Sequence, residues 1–187
     1  MLGSGLLSGP RVRLCRLERA DAAAVASWYA DPEFMRLFGA EVAFPKSEAQ
    51  IGAEIDAASR STKCYLFGVR TVEDDRLIGR AAVEDVLWQH GVAWLSIALD
   101  HPYWGQGYGS EALDLLLRFA FTEMNLHRLQ LTVFDYNERA RVLYKRFGFR
   151  REGVFRQFLL RDGKRHDMLL MGLLAREWQA EQGGGDA

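Results

Sequence analysis

The segment Trp104-Gly105-Gln106-Gly107-Tyr108-Gly109-Ser110-Glu111 lies between a strand-like run and a long apolar helix, and the rest of the chain is interpreted around it. Glycines at alternate positions make a turn in which no Cβ atom shields the backbone. The helix that follows directs its free N–H groups, and the positive end of its dipole, into that turn. Main-chain donors alone can therefore hold an anion there, most naturally a phosphate or a diphosphate. A tight turn packed for steric reasons is the structural alternative.

Before this turn, the sequence predicts an antiparallel meander. Short polar turns separate the strand-like runs Cys64–Arg70, Leu77–Val86 and Val92–Leu99. A further strand is expected at Arg11–Leu17, where polar and apolar residues alternate.

Two helices are expected between the first strand and the meander. The first begins at Asp21 and is broken at Pro32. The second is opened by the capping-box pair Ser47 and Gln50 and runs to about Ser59. This half of the chain is thus expected to run strand, two helices, meander.

After the turn, apolar residues at helical spacing predict a helix over Ser110–Met124. The other expected elements are a strand over Leu129–Phe134, a helix opened by Asn137 and ended by Gly148, and a hairpin of Arg156–Leu160 and Asp167–Met171 turned at Asp162-Gly163. Neither a repeat nor a linker interrupts this pattern. The sequence therefore predicts one α+β domain over 11–178, between a flexible N-terminus at 1–10 and a flexible tail at 179–187.

Composition narrows the functional classes. The 187 residues include 24 basic and 25 acidic side chains, so a net charge of -1 gives no reason to expect nucleic-acid or membrane binding. Neither a signal peptide nor a membrane-spanning run is recognisable, and a cytoplasmic location is expected. The four histidines and two cysteines have no spacing typical of a metal site, so no metal is expected.

In combination, the order of elements and two segments, Leu95–Glu111 and Asn137–Phe149, resemble the GNAT superfamily of acetyl-CoA-dependent N-acetyltransferases. The closing Arg161–Trp178 is similar to one branch, the ribosomal-protein N-terminal alanine acetyltransferases, which also contains the spermidine acetyltransferases. The resemblance covers nearly the whole chain, from Arg11 onward. It implies a GNAT fold, with a central mixed, mostly antiparallel sheet of about six to seven strands flanked by helices.

The resemblance also implies acetyl-CoA as cosubstrate and assigns roles to residues. Backbone groups of Ile97, Ala98 and Leu99 would pair with the pantetheine arm, and one N–H would polarise the thioester carbonyl and hold the oxyanion. The residues that would bind the cofactor at the turn are Trp104, Gly105, Gln106, Gly107, Tyr108, Gly109 and Ser110. Trp104 stands where the superfamily usually has Arg or Gln, which leaves main-chain N–H groups as the expected diphosphate donors.

Two residues of the next helix complete the predicted cofactor site. Asn137 would hydrogen-bond the pantetheine, and Tyr144 would protonate the departing thiolate. A phenol with a pKa of about 10 can reprotonate a thiolate if the two groups are held together. The structural alternatives are a helix cap for Asn137 and a core aromatic for Tyr144.

The acceptor side is expected at the aromatic cluster Trp28, Tyr29, Phe34 and Phe38, which could grip a cationic amine. The alternative for each of these aromatic residues is a structural role, in which its side chain packs over the sheet. Glu84, near the end of a meander strand, is the candidate general base and acceptor ligand, and an exposed strand-end carboxylate is its alternative.

The sequence thus predicts acetyl transfer from acetyl-CoA to a primary amine, by direct attack in a ternary complex. The favoured acceptor is the N-terminal amine of a protein or peptide. A polyamine, an antibiotic amine, or a non-catalytic CoA-binding module are the alternatives, and a monomer or a homodimer is expected. The presence of both Asn137 and Tyr144 argues against the non-catalytic reading.

Overall fold

The computed structural model describes residues 5–183 and contains one seven-stranded sheet. Its strands are β1 Val12–Arg16, β2 Tyr65–Thr71, β3 Leu77–Leu87, β4 Val92–Leu99, β5 Arg128–Phe134, β6 Arg150–Arg161 and β7 Lys164–Leu174. They lie in the order β1-β2-β3-β4-β5-β7-β6. Only β4 and β5 pair in parallel, and every other pairing is antiparallel. The predicted mixed, mostly antiparallel sheet and the meander before the glycine turn are confirmed.

The parallel pairing of β4 with β5 is short. It joins Val92–Trp94 to Arg128–Gln130, although β4 continues to Leu99 and β5 to Phe134. Beyond Trp94 the two strands no longer form a ladder, and residues of both line one cavity. A cleft therefore opens in the middle of the sheet.

Helices cover both faces of the sheet. They are α1 Ala22–Trp28, α2 Pro32–Phe38, α3 Glu48–Arg60, α4 Tyr108–Arg118, α5 Glu138–Arg146 and α6 Ala175–Gly183. A π-helical turn, Phe119–Glu123, prolongs α4. Helices α1, α2 and α3 enclose one apolar cluster, whereas α4, α5 and α6 contribute to a larger one. Within the larger cluster Leu113, Leu116 and Leu117 are wholly buried, and each such side chain contributes about 1.5–3 kcal/mol relative to exposure.

The expectation of two helices before the meander is wrong, because Pro32 both ends one helix and begins another. Proline is well placed at the first position of a helix, where its missing N–H has no acceptor to lose. Asp31 caps this added helix, α2, by accepting the Glu33 N–H at 2.8 Å. By contrast, the capping box of Ser47 and Gln50 is confirmed at the start of α3.

The final hairpin is longer than predicted, but its turn is confirmed. Asp162 and Gly163 have φ values of 50° and 72°, as a type I′ turn requires. Alternation along β6 is weak because most of this edge strand is exposed, which explains why the sequence predicted only its C-terminal half.

The chain ends are only partly described. Residues 5–10 run back along β1, where the Leu14 N–H donates to the Leu7 carbonyl oxygen at 2.8 Å. Helix α6 extends to Gly183, and the remainder of the expected flexible ends, 1–4 and 184–187, lies outside the described residues. The domain limits of 11–178 stay a prediction. In the described part of the chain, no helix combines the length and apolar character needed to cross a bilayer.

Candidate active site

The glycine turn presents a row of free backbone donors. Gly105 and Gly107 have φ values of 73° and 86°, in the left-handed region that glycine adopts without strain. Gly107, rather than Ser110, is the N-cap of α4. Within residues 5–183, none of the N–H groups from Gly105 to Gly109 donates to a protein acceptor. Unpaired N–H groups at a helix start are the donors that a phosphate or diphosphate accepts, so this turn fits that group.

A single carboxylate ties this turn to the first strand. Glu111, in the first turn of α4, accepts the N–H groups of Arg11 at 2.7 Å and Val12 at 2.9 Å. The Arg11 guanidinium returns to Glu111 at 3.1 Å and donates to the Gln106 carbonyl oxygen at 3.0 Å. The Glu111 side chain is only 13% exposed, so this pairing holds the turn in one conformation. Its role was not predicted from the sequence.

The open half of β4 directs some of its backbone groups into the cleft. The Asp100 N–H donates to Ile78 in β3 at 2.8 Å, and hydrogen-bonded pairs alternate along an antiparallel ladder. The backbone of Ala98 therefore points to β3, whereas Ile97 and Leu99 point towards the side from which β5 has diverged. Of the predicted residues Ile97, Ala98 and Leu99, only the first and last can offer backbone groups to a ligand there.

Trp104 contacts the end of this strand. Its indole Nε1 donates to the Leu99 carbonyl oxygen at 2.7 Å. The indole stacks on His101 with ring centres 4.1 Å apart, and the Arg139 guanidinium lies 4.6 Å from its ring centre. His101 is in turn paired with Asp31 at 3.0 Å. Trp104 is thus held by contacts with the end of β4, with His101 and with α5.

A cavity of about 360 Å³ lies between the glycine turn, β4 and α5. The predicted cofactor residues that line it are Ile97, Ala98, Leu99, Trp104, Gly105, Gly107, Gly109, Ser110, Asn137 and Tyr144. Gln106 and Tyr108 do not line it, since the Gln106 amide donates to Pro102 and the Tyr108 ring packs on Tyr103. Arg139 and Arg146 of α5 bring positive charge to the cavity, and sequence reasoning missed both.

Tyr144 lies where this cavity meets a second one, and it lines both. Its ring is buried against Phe149, and no group within residues 5–180 hydrogen-bonds its hydroxyl. Burial raises the pKa of Tyr144, so the phenol is protonated at neutral pH. A protonated hydroxyl without a protein partner is therefore directed at the junction of the cavities.

Asn137 is a helix cap that also lines both cavities. Its Oδ1 accepts the Ala140 N–H at 3.1 Å, and its Nδ2 donates to the Leu37 carbonyl oxygen at 3.3 Å. One N–H and one lone pair of the amide remain for a ligand. The predicted cap is confirmed, and a cofactor contact stays a prediction.

The second cavity, of about 540 Å³, occupies the cleft between β4 and β5. Glu84 lines it and is half-buried. Lys46 and Glu54 form an ion pair at 2.7 Å on its wall. Burial would lower the pKa of Lys46, but the hydrogen bond to Glu54 and nearby negative groups outweigh it and leave the pKa raised. Charged side chains therefore line this cavity together with the predicted Glu84.

The predicted aromatic cluster is divided by the structure. Tyr29 lines the second cavity, Phe34 the first, and Phe38 both. Trp28 lines neither, because it is buried beneath α2 with its ring 6.1 Å from Phe34. Burial raises the pKa of Tyr29, against the opposing charges of Arg80 and Lys46.

Phe158 is a further wall residue that sequence reasoning missed. Phe155 pairs with Met168 and Leu159 with His166, so a bulge separates these pairs on β6. Asp167 holds the bulge by accepting the Gln157 N–H at 2.7 Å. Bulges re-aim side chains next to active sites, and here Phe158 lines the second cavity while remaining 50% exposed.

The chain belongs to the acetyltransferase (GNAT) domain family, whose model matches residues 11–150. It is accordingly an acetyl-CoA-dependent N-acetyltransferase, which confirms the resemblance and the enzyme class inferred from the sequence.

Its relatives include several N-acetyltransferases. An uncharacterized N-acetyltransferase of Bacillus licheniformis is 27% identical over 90% of this chain and 95% of the relative. The ribosomal protein uS5-alanine N-acetyltransferase of Escherichia coli is 26% identical over 70% of this chain and 68% of the relative. A solved spermidine N-acetyltransferase from Vibrio cholerae, in complex with CoA and spermine, superposes with a TM-score of 0.84 at 22% identity, covering 91% and 99% of the two chains.

Proposed function

We propose that the protein transfers an acetyl group from acetyl-CoA to the N-terminal amine of a protein or peptide, by direct attack in a ternary complex. One observation carries this proposal: the two cavities meet at Ile97 and Tyr144. A cofactor arm and an amine can therefore reach the same point from opposite directions. Juxtaposition of this kind removes much of the entropic cost of a bimolecular reaction.

The first cavity holds the cofactor in this proposal. The free N–H groups of Gly105, Gly107 and Gly109 receive the diphosphate, and Arg139 and Arg146 add positive charge beside it. Acetyl-CoA, when bound, supplies the acetyl thioester. The outward N–H of Ile97 donates to the carbonyl oxygen that gains negative charge, as an oxyanion hole does.

Two side chains act as general acid and general base. Tyr144 donates its proton to the departing sulfur, because its hydroxyl is protonated and no side chain or backbone group within residues 5–180 engages it. Glu84 takes a proton from the amine on the second-cavity side, directly or through water. An α-amino group has a pKa near 8, so it needs only modest help to become nucleophilic.

The second cavity supports a peptide acceptor. Phe158 lines this cavity and forms an exposed apolar pair with Phe155, with ring centres 5.8 Å apart. Residues that follow an N-terminal amine could pack on this pair. A polyamine, an antibiotic amine, or a module that binds CoA without turnover are the competing functions.

Thiol release from acetyl-CoA tests these functions directly. The panel contains peptides beginning with Ala or Ser, spermidine and an aminoglycoside. The proposal expects turnover with the peptides in excess of the other amines. Release with polyamines only would contradict the peptide assignment, and tight CoA binding without release on any amine would favour the non-catalytic module.

A further inference from the structure

One guanidinium in the second cavity has no assigned role. Arg80 belongs to β3 and lines this cavity, with its side chain only 14% exposed. Arg80 has the Tyr29 hydroxyl as a hydrogen-bonding neighbour on the cavity wall. Its closest acid, Glu54, lies 3.8 Å away. A guanidinium has five N–H donors, more than Tyr29 and Glu54 accept, so donors remain for a ligand in the cavity.

Arg80 shares its carboxylate partner, Glu54, with a second cation. Glu54 is already held by Lys46 at 2.7 Å, a shorter contact than the one it makes with Arg80. The ring of Phe38 lies 5.5 Å from the guanidinium carbon, so the head group is flanked by an aromatic face. A flat, flanked guanidinium presents its donors in the fork geometry that binds a carboxylate through two parallel hydrogen bonds.

The position of Arg80 places it close to the reaction centre. Arg80 pairs across the ladder with Ala98, the residue next to Ile97. Phe38, which it contacts, lines both cavities. A group bound by Arg80 would therefore lie close to the amine that reacts near Ile97.

We propose that Arg80 binds a carboxylate carried by the acceptor close to its reacting amine. This inference rests on the proposed amine acetylation and specifies its substrate class as amino-carboxylates. The carboxylate has two sources with the same chemistry: the α-carboxylate of a free amino acid, or an acidic side chain near the start of a peptide.

Matched acceptors separate the two sources. One arm compares C-terminally amidated peptides that begin Ala-Glu and Ala-Gln, and the other compares free alanine with alaninamide. Charge-assisted hydrogen bonds are the strong ones, so the carboxylate member of one pair is expected to have a KM lower by about 10- to 100-fold. The pair that shows the preference identifies the source.

Variants assign the preference to Arg80. Arg80→Met keeps much of the stem and is expected to erase the preference by raising KM for the carboxylate acceptor to that of its neutral partner. Arg80→Lys keeps the charge without the fork and should restore part of the preference. Arg76→Met, at an exposed position just before β3, is the matched control, and thermal unfolding checks that all variants fold.

Equal KM values within both pairs, or a preference that persists in Arg80→Met, would overturn the carboxylate site while leaving amine acetylation intact. Absence of thiol release with every amine would instead contradict the proposed function itself.

Discussion

The indole N–H of Trp104 donates to the carbonyl oxygen of Leu99 at 2.7 Å, across the junction between β4 and the glycine turn. This bond satisfies a carbonyl that points towards the cleft and would otherwise lack a partner. Trp104 thus contributes a hydrogen bond that orders the cofactor site, and it contributes no charge. The positive charge at this site comes instead from Arg139 and Arg146 of α5. Because α5 supplies the positive charge, the site does not require the Arg or Gln that the superfamily usually has at this position.

Trp104→Phe should weaken CoA binding. It removes a hydrogen bond worth about 0.5–1.5 kcal/mol and leaves the Leu99 carbonyl unpaired, so we expect a roughly 2- to 10-fold rise in the CoA dissociation constant. Calorimetric titration measures it. Trp88→Phe is the control, because the Trp88 indole also donates to a carbonyl, that of Thr62 at 3.0 Å, but lines neither of these cavities. Equal losses in the two variants would contradict the role of Trp104.

Tyr144→Phe should lower kcat by about 10²- to 10⁴-fold, the usual contribution of a general acid, while CoA affinity changes little. The hydroxyl has no partner within residues 5–180, so its removal should not disturb folding. Steady-state thiol release gives kcat, with Tyr65→Phe as a control in the same sheet. Turnover within a few-fold of the parent would remove Tyr144 from the mechanism.

Alkaline unfolding tests the buried phenol independently of catalysis. The pKa of Tyr144 is raised in the folded protein, whereas the unfolded chain has an ordinary value of about 10. The stabilisation is complete below pH 10 and is lost above it, because only the unfolded state then releases this proton. Denaturant titrations should show the parent losing up to about 1.4 kcal/mol per pH unit more than Tyr144→Phe. Parallel pH curves for the two proteins would contradict this.

Gly107→Ala should damage the anion-binding turn. Its φ of 86° is strained for alanine, and the added Cβ would lie 2.9 Å from Arg11 Nη2. We expect about 1–2 kcal/mol of destabilisation and, since Arg11 must move, a loss of CoA affinity on the order of 10-fold. Gly163→Ala, with a φ of 72° and no atom within 4 Å, should show the destabilisation alone. CoA binding unchanged in Gly107→Ala would contradict this account of the turn.

Glu84→Gln tests the proposed base. The amide keeps the shape but cannot accept a proton, so the acidic limb of the pH–rate profile should shift and kcat should fall by about 10²-fold or more. Glu73→Gln, in the exposed turn before β3, controls for a general charge effect. An unchanged rate and pH profile would remove Glu84 from the base role.

Local signals explain what the sequence predicted correctly. The Ser47 and Gln50 capping box, the Asp162-Gly163 turn and the glycine turn each depend on a few adjacent residues. Pro32 misled because proline disfavours the continuation of one helix but favours the first position of the next.

Several residues that line the cavities could not be predicted in this way, because only tertiary structure brings them together. Arg80, Arg139 and Phe158 come from β3, α5 and a bulge on β6, and no sequence spacing brings them together. Trp28, expected at the acceptor, is buried because α2, absent from the prediction, covers it.

The most direct measurement uses a peptide that begins with alanine and contains an internal lysine, incubated with the protein and acetyl-CoA. Tandem mass spectrometry then locates the added acetyl group. The proposed function predicts acetylation of the α-amine, with the lysine unmodified and the reaction lost in Tyr144→Phe. Acetyl on the lysine, or an unmodified peptide under conditions in which spermidine is acetylated, would contradict it.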